Sequence, residues 1–303
     1  MKKIEWARAI CYSGYREGQS PGAEIYPSKE QILEDLNIIV KDGFKYIRMY
    51  DANEYAENVC KVIRENKLPL QLMLGPGLIN EVNNVGCAWD PNVYSEEQLK
   101  ERAARNRQRI DNLIKIANDY SDVIFSVSVG NENTPTWGEN TVPEDVLVEF
   151  AERLKKETGK IVTFNEGARE WKKLAKLAAA VDVICIHTYP LWYGNYVEEA
   201  VEINKQDYKD IQALYPDKQI LISEAGWATC CKPGTEMKDD APSEENQVKY
   251  YKEFWDWTDS EKIIAFVFEA FDEPWKGSAD PKEAEKHWGL YFVDRTPKKV
   301  MKK

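Results

Sequence analysis

The chain has 303 residues, enough for one large domain such as an eight-fold strand–helix barrel of about 250 residues with insertions, so core size is not limiting. Its formal net charge of −11 repels phosphate backbones and anionic lipid, which argues against nucleic acid and membranes as partners. No window of about 18 apolar residues is present, which excludes a transmembrane helix.

In chain order, short apolar runs alternate with longer amphipathic ones. A first strand is expected at Ala9–Ser13, and Ser28-Lys-Glu-Gln31 then reads as a capping box opening a helix. Strands follow at Tyr46–Tyr50 and Pro69–Leu74, and the stretch Gly75 to Tyr94 is the longest irregular one. Ser95-Glu-Glu-Gln98 is a second capping box. The helix it opens carries Arg102, Arg105, Arg107 and Arg109 among polar residues and reads as a solvated face. A strand at Val123–Val129 precedes Pro143, a residue suited to the first turn of a helix. Strands at Lys160–Phe164, Val183–His187, Gln219–Ser223 and Ile263–Phe268 complete the set. Ser243 starts the last helix, where Val248, Tyr251 and Trp255 recur at core spacing. Eight short apolar strands alternating with helices predict an α/β fold, a closed parallel (β/α)8 TIM barrel forming one domain over 1–303. Gly75-Pro-Gly77 is too short, and interrupted by Pro, to be a dinucleotide-binding turn.

The six cysteines show no Cys-x-x-Cys or Cys/His metal spacing. Cys11, Cys60 and Cys185 read as buried thiols, while Cys87, Cys230 and Cys231 fall in loops where one disulfide can form, so the redox compartment stays open. The N-terminus, Met-Lys-Lys-Ile-Glu-Trp, lacks an apolar signal core. The expectation is an intracellular protein, or a periplasmic or extracellular one if a leader has been removed.

In such barrels the reactive groups stand at the C-terminal ends of the strands. Those ends carry Arg48, Tyr50 and Asp51, then Asn131 and Glu132, Asn165 and Glu166, His187 and Tyr189, Glu224 and Trp227, and finally Glu269, Asp272 and Glu273. Glu132 and Glu224 end strands four and seven, on opposite sides of the mouth, where a carboxyl pair can flank one bond. Retaining glycoside cleavage needs such a pair about 5–5.5 Å apart, one as nucleophile and one as acid and then base. Arg48 and Tyr189 are candidate donors to Glu224, and Asn131 can bond a sugar 2-hydroxyl. Glu166, Glu269 and Glu273 can be ion-pair partners, with Lys276 opposite Glu273. With 2 histidines and no spaced partner, neither a metal nor another cofactor is expected, and His187 reads as a hydrogen-bonding neighbour of the nucleophile. Aromatics are 12% of the residues, a supply of rings for stacking on pyranose C–H faces.

Six blocks in order resemble glycoside hydrolase family 17, the β-1,3-glucanase family, in its bacterial branch. They are Tyr46-Ile-Arg-Met-Tyr-Asp51, Val129-Gly-Asn-Glu132, His187-Thr-Tyr-Pro190, Ser223-Glu-Ala-Gly-Trp-Ala-Thr229, Phe268-Glu-Ala-Phe-Asp-Glu-Pro-Trp-Lys-Gly277 and His287-Trp-Gly-Leu-Tyr291. The resemblance implies a (β/α)8 fold and a retaining mechanism with Glu132 as acid/base and Glu224 as nucleophile. It also implies that Glu273 and Lys276 belong to the active-site surroundings. The expected substrate is β-1,3-glucan of the laminarin type, with Trp89, Tyr189, Trp192, Trp227 and Trp275 as sugar-stacking rings and the chain acting as a monomer. Glucanosyl transfer by the same glutamates and glucan binding without turnover are the alternatives. The chain departs from plant-type members in reading Glu-Ala-Gly-Trp-Ala-Thr at the nucleophile and in carrying Cys87 and Trp89 in an enlarged third loop.

Overall fold

A computed structural model of the chain describes residues 3–88 and 92–302; Trp89 lies outside them. All eight expected strands form and close in sequence order into a parallel barrel. They are β1 Ala9–Cys11, β2 Tyr46–Met49, β3 Gln71–Leu74, β4 Ile124–Asn131, β5 Ile161–Gly167, β6 Val183–His187, β7 Gln219–Ala225 and β8 Ala265–Val267. The helices are α1 Lys29–Lys41, α2 Glu54–Glu65, α3 Glu96–Asp119, α4 Glu144–Thr158, the short α5 Ala168–Trp171 and α6 Ala175–Ala180, α7 Val197–Leu214 and α8 Glu244–Ser260.

Local chemistry explains the helix starts. Ser28 and Ser95 form the two reciprocal capping boxes with Gln31 and Gln98, and Ser243 accepts from Asn246 N. Pro143 is the cap residue itself, so α4 begins one position later. Helix α8 buries Tyr250, Tyr251, Phe254 and Trp257, while Val248 and Trp255 are only half-buried.

Strands β4, β5 and β7 run two or three residues beyond their apolar runs, into Asn131, Gly167 and Ala225. Register shifts fall at the same ends, at Ser128/Asn131, Ile186/His187 and Ile222/Ala225. Such irregularities re-aim side chains at a barrel rim.

Two expectations change. All six cysteines are free thiols, and Cys87 is buried, so no disulfide joins the loops that carry Cys87, Cys230 and Cys231. The arginines of α3 are not uniformly solvated. Arg102 donates to Asn80 O at 3.1 Å with its guanidinium 4.3 Å above the Tyr94 ring, and Arg107 lies 4.0 Å from Glu81 and 3.6 Å from Glu149. Half of the cluster therefore pins the long loop after β3 to its helix. Among the described residues no helix is long and apolar enough to cross a membrane.

Between β1 and β8 the barrel is closed by short strands and a buried charge cluster. Asp35 on α1, 0% exposed, accepts from Arg295 at 2.7 and 2.8 Å, from Arg16 at 3.0 and 3.2 Å and from Tyr12 at 3.1 Å. Arg295 also donates to Gly14 O at 2.8 Å, so the cluster ties the C-terminal segment to the β1 loop. Removing the carboxylate takes from the buried Arg295 the acid it pairs with and leaves Arg16 only Glu34. Asp35→Ala should cost about 3–5 kcal/mol of stability, read as a lower urea midpoint at unchanged m. A loss under about 1 kcal/mol would mean that water replaces the carboxylate.

Candidate active site

The C-terminal mouth brings together Arg48, Tyr50, Asn131, Glu132, Asn165, His187, Tyr189 and Glu224. Arg48 rises from β2, 1% exposed, and places Nη1 2.5 Å from Glu224 Oε1 at the end of β7. Its other nitrogen bonds Asn131 on β4. Asn165 on β5, with its amide oxygen turned to the guanidinium, accepts from Nε and Nη2 at 3.1 Å. Tyr50 donates to Glu224 Oε1 at 3.0 Å and Tyr189 to Oε2 at 2.6 Å, so both carboxylate oxygens are held. Burial alone would raise the Glu224 pKa. The charges of His187 and Arg48 and the hydrogen bonds from Tyr189 and Arg48 outweigh it and draw the group down to about 2.

Glu132 is built differently. It sits just past β4 at φ 49°, the left-handed region that side chains rarely occupy, with its N–H on Asn165 O at 3.0 Å. Its side chain is 28% exposed, against 7% for that of Glu224. His187 spans the pair, with Nδ1 2.8 Å from Glu132 Oε1 and Nε2 3.5 Å from Glu224 Oε1. A carboxylate oxygen of Glu132 and one of Glu224 come within 4.8 Å of each other. Glu132, His187 and Glu224 are also the group among the described residues that could hold an ion. His187 Nδ1 is hydrogen-bonded to Glu132, whereas the buried Nε2 faces Glu224 at 3.5 Å without a hydrogen bond.

The turn after Glu132 is anchored by Glu166 on β5. Glu166 Oε2 accepts from Thr134 N at 3.1 Å and Thr134 Oγ1 at 2.7 Å, and Oε1 from Gly167 N at 2.7 Å. Its partners are therefore a hydroxyl and backbone amides, not the cation that an ion pair would need. Burial and the charge of Glu132 push it up to about 8. Glu269, 1% exposed, does form an ion pair: Lys276 Nζ lies 3.3 Å away and also contacts Glu273, which accepts from Trp275 Nε1 at 3.0 Å. Burial and the Glu273 charge hold Glu269 well above the usual carboxylate range, with Lys276 opposing them.

The expected sugar-stacking rings divide. Trp227 is fully buried, its Nε1 bonded to Ala241 O at 3.1 Å and its ring against Tyr250, so it supports the wall and cannot meet a sugar. The Tyr189 hydroxyl is engaged by Glu224 and its ring packs edge-on to Phe268 and Trp288. Trp192 and Trp275 remain half-buried at the rim.

Two residues went unnoticed in sequence. Glu285 lies on a short turn, Ala284–Lys286, with no periodicity to mark it. Burial and the charges of Glu132, Glu224 and Glu273 raise it to about 7 against the pull of Lys276. Its only signal is its position just before the His287–Tyr291 block. Tyr193 is 44% exposed with Arg169 4.1 Å over its ring, and the Glu132 charge reaches its hydroxyl.

The Glu224 anion is present above its pKa and lost as pH falls through it. Tyr189→Phe removes a donor to that anion, so the acid limb of kcat/KM should move to higher pH by about one to two pH units. An acid limb that stays in place would show that Tyr189 does not hold the charge.

A model described as the BtgE/BtgC glycoside hydrolase domain matches residues 9–289. Over 206 residues the chain is 31% identical to a glucan 1,3-beta-glucosidase of Arthroderma benhamiae, covering 62% of this chain and 65% of that one. A probable glucan endo-1,3-beta-glucosidase btgC of Aspergillus clavatus is 29% identical over 234 residues, 70% of this chain and 33% of that one. The chain thus matches less than two thirds of the length of these curated relatives. Among solved structures, an endo-laminarinase from Formosa superposes with a TM-score of 0.80 at 26% identity over 97% of this chain and 85% of that one. A family 17 beta-1,3-glucanosyltransferase from Rhizomucor miehei, at 18% identity and a TM-score of 0.75 over 98% and 97%, shares the fold.

Proposed function

We propose, from the premise that this chain belongs to the BtgE/BtgC glycoside hydrolase family, that it is a retaining β-1,3-glucan hydrolase acting within laminarin-like chains. The observation that carries this reading is the carboxyl pair itself, with oxygens within 4.8 Å and unequal surroundings. That spacing supports a retaining pair, whose carboxyl groups stand about 5–5.5 Å apart, over an inverting one at about 6.5–9.5 Å.

Glu224, kept ionised and oriented by Arg48, Tyr50 and Tyr189, attacks the anomeric carbon and forms the glycosyl-enzyme. Glu132, closer to solvent, gives its proton to the leaving oxygen. It then takes a proton from the water that attacks the same carbon and releases the sugar. Asn131, held by Arg48, is the residue to bond the sugar's 2-hydroxyl in this reading. No step requires a cofactor. The relatives' printed activities on 1,3-linked glucan support the linkage, and the overlap with the Formosa endo-laminarinase supports cleavage inside chains.

Laminarin should be shortened by the wild type, with products resolved by size over time; products longer than the substrate would assign the site to glucanosyl transfer. Glu132→Gln should lower kcat on laminarin by about 10²–10⁴-fold, because its leaving group needs a proton. A dinitrophenyl β-laminaribioside needs none for departure, so Glu132→Gln should still accumulate the glycosyl-enzyme, visible by intact mass. Normal laminarin turnover in Glu132→Gln, or full activity in Glu224→Ala, would sink the assignment of roles.

A further inference from the structure

Glu132 sits on a turn that is held from two sides. On one side Asn133 closes it: Asn131 N donates to Asn133 Oδ1 at 2.9 Å, Asn133 Nδ2 donates to Asn140 O at 2.7 Å, and Val142 N donates to Asn133 O at 2.8 Å. The amide lies so close over Gly130 that a Cβ there would stand 2.2 Å from Asn133 Oδ1. On the other side is Glu166. Successive side chains of a strand face opposite ways, so on β5 Asn165 enters the mouth toward Arg48 while Glu166 turns outward behind the strand. There it is 0% exposed and takes both donors of Thr134, the N–H at 3.1 Å and the hydroxyl at 2.7 Å, together with Gly167 N at 2.7 Å.

Between the two holds, Glu132 adopts φ 49°. A residue with a side chain stays in that region only where its surroundings over-determine it. Burying a carboxyl among neutral donors alone is costly. Two of the three bonds that offset this cost for Glu166 go to Thr134, two positions past Glu132.

We infer that Glu166 is a positioning residue for Glu132: its bonds to Thr134 hold the turn that sets the direction of the Glu132 carboxyl, so that Glu166 serves the proton transfers at the leaving oxygen and at water and no other part of the reaction. The inference rests on the glucanase reading above and adds what keeps its acid and base in place. Sealed behind β5, Glu166 touches neither the sugar nor a reacting atom.

A lost direction matters only where Glu132 moves a proton, so the effect must depend on the leaving group. In Glu166→Ala, kcat/KM for laminarihexaose should fall about 10–100-fold. For a dinitrophenyl β-laminaribioside, kcat/KM should change less than about twofold, while kcat falls and the glycosyl-enzyme accumulates, read by intact mass. Glu166→Gln, whose amide oxygen can still accept from Thr134, should recover most of the loss. In a Glu132→Gln background, Glu166→Ala should lower laminarihexaose turnover by less than about twofold more, because the residue it acts through is already disabled. If Glu166→Ala does not fold, Thr134→Val, which removes the hydroxyl and keeps the N–H, carries the same comparison with a smaller loss. An equal loss on both substrates, or a full further loss in the Glu132→Gln background, would refute the positioning role and leave the glucanase reading standing. If the wild type cleaves no β-1,3-glucan at all, that reading falls and this role falls with it.

Discussion

The active site is organised around one buried ion pair, Arg48 with Glu224. A carboxylate sealed from water at a barrel mouth is unfavourable unless its charge is matched and both oxygens are bonded. Arg48 supplies the charge, and Tyr50 and Tyr189 complete the bonding. The guanidinium in turn needs acceptors, which Asn131 and Asn165 provide. Strands β2, β4, β5 and β7 are thereby locked to one another through polar side chains at the end where their ladders grow irregular. A buried pair of this kind adds little net stability. What it does, with the charge of His187 and the hydrogen bond from Tyr189, is hold the anion against the cost of burial and draw the carboxyl down to about 2.

Glu132 is set apart from its partner by its surroundings. It stands near three carboxyls, Glu224, Glu166 and Glu285, and its side chain is the more exposed of the pair. His187 lies between the two carboxyls, hydrogen-bonded to Glu132 and 3.5 Å from Glu224.

The architecture and the carboxyl pair were legible in sequence because each leaves a local mark. Apolar runs of strand length mark the barrel, Ser–Gln spacing marks the caps, and a glutamate that ends an apolar run marks a strand tip. Strand ends were legible only in part. An apolar run stops at its first polar residue, whereas the ladder continues through Asn131, Asn165 and Glu224 because their backbones still pair while their side chains enter the mouth. Burial imposed by tertiary packing leaves no such mark. Trp227 looks like its rim counterparts until α8 is packed over it, and Glu166 resembles an ion-pair residue until the turn of Thr134 folds onto it. Arg102 and Arg107 look solvated until the loop after β3 folds back along α3.

The blocks that set this chain apart from a generic barrel act largely beneath the site. Trp288 is fully buried, packed against the rings of Tyr189 at 5.2 Å and Phe268 at 5.9 Å, so it fixes the tyrosine that holds Glu224. Gly289 passes so close that a Cβ would lie 2.3 Å from Asp272 N, and its own N–H donates to Asp272 Oδ1 at 3.0 Å. Asp272 also accepts from the buried Lys298 at 2.7 Å, which reaches Thr229 after β7 at 2.9 Å. The loop after β8 is therefore stitched to the loop after β7 behind the cleft. A substitution in these blocks would reach the chemistry through the position of Tyr189 and the Glu269–Lys276–Glu273 group, without touching a sugar. The Glu224 hydrogen bonds weaken with shifts of a few tenths of an ångström, so this packing behind the cleft sets how well Tyr189 holds that carboxylate.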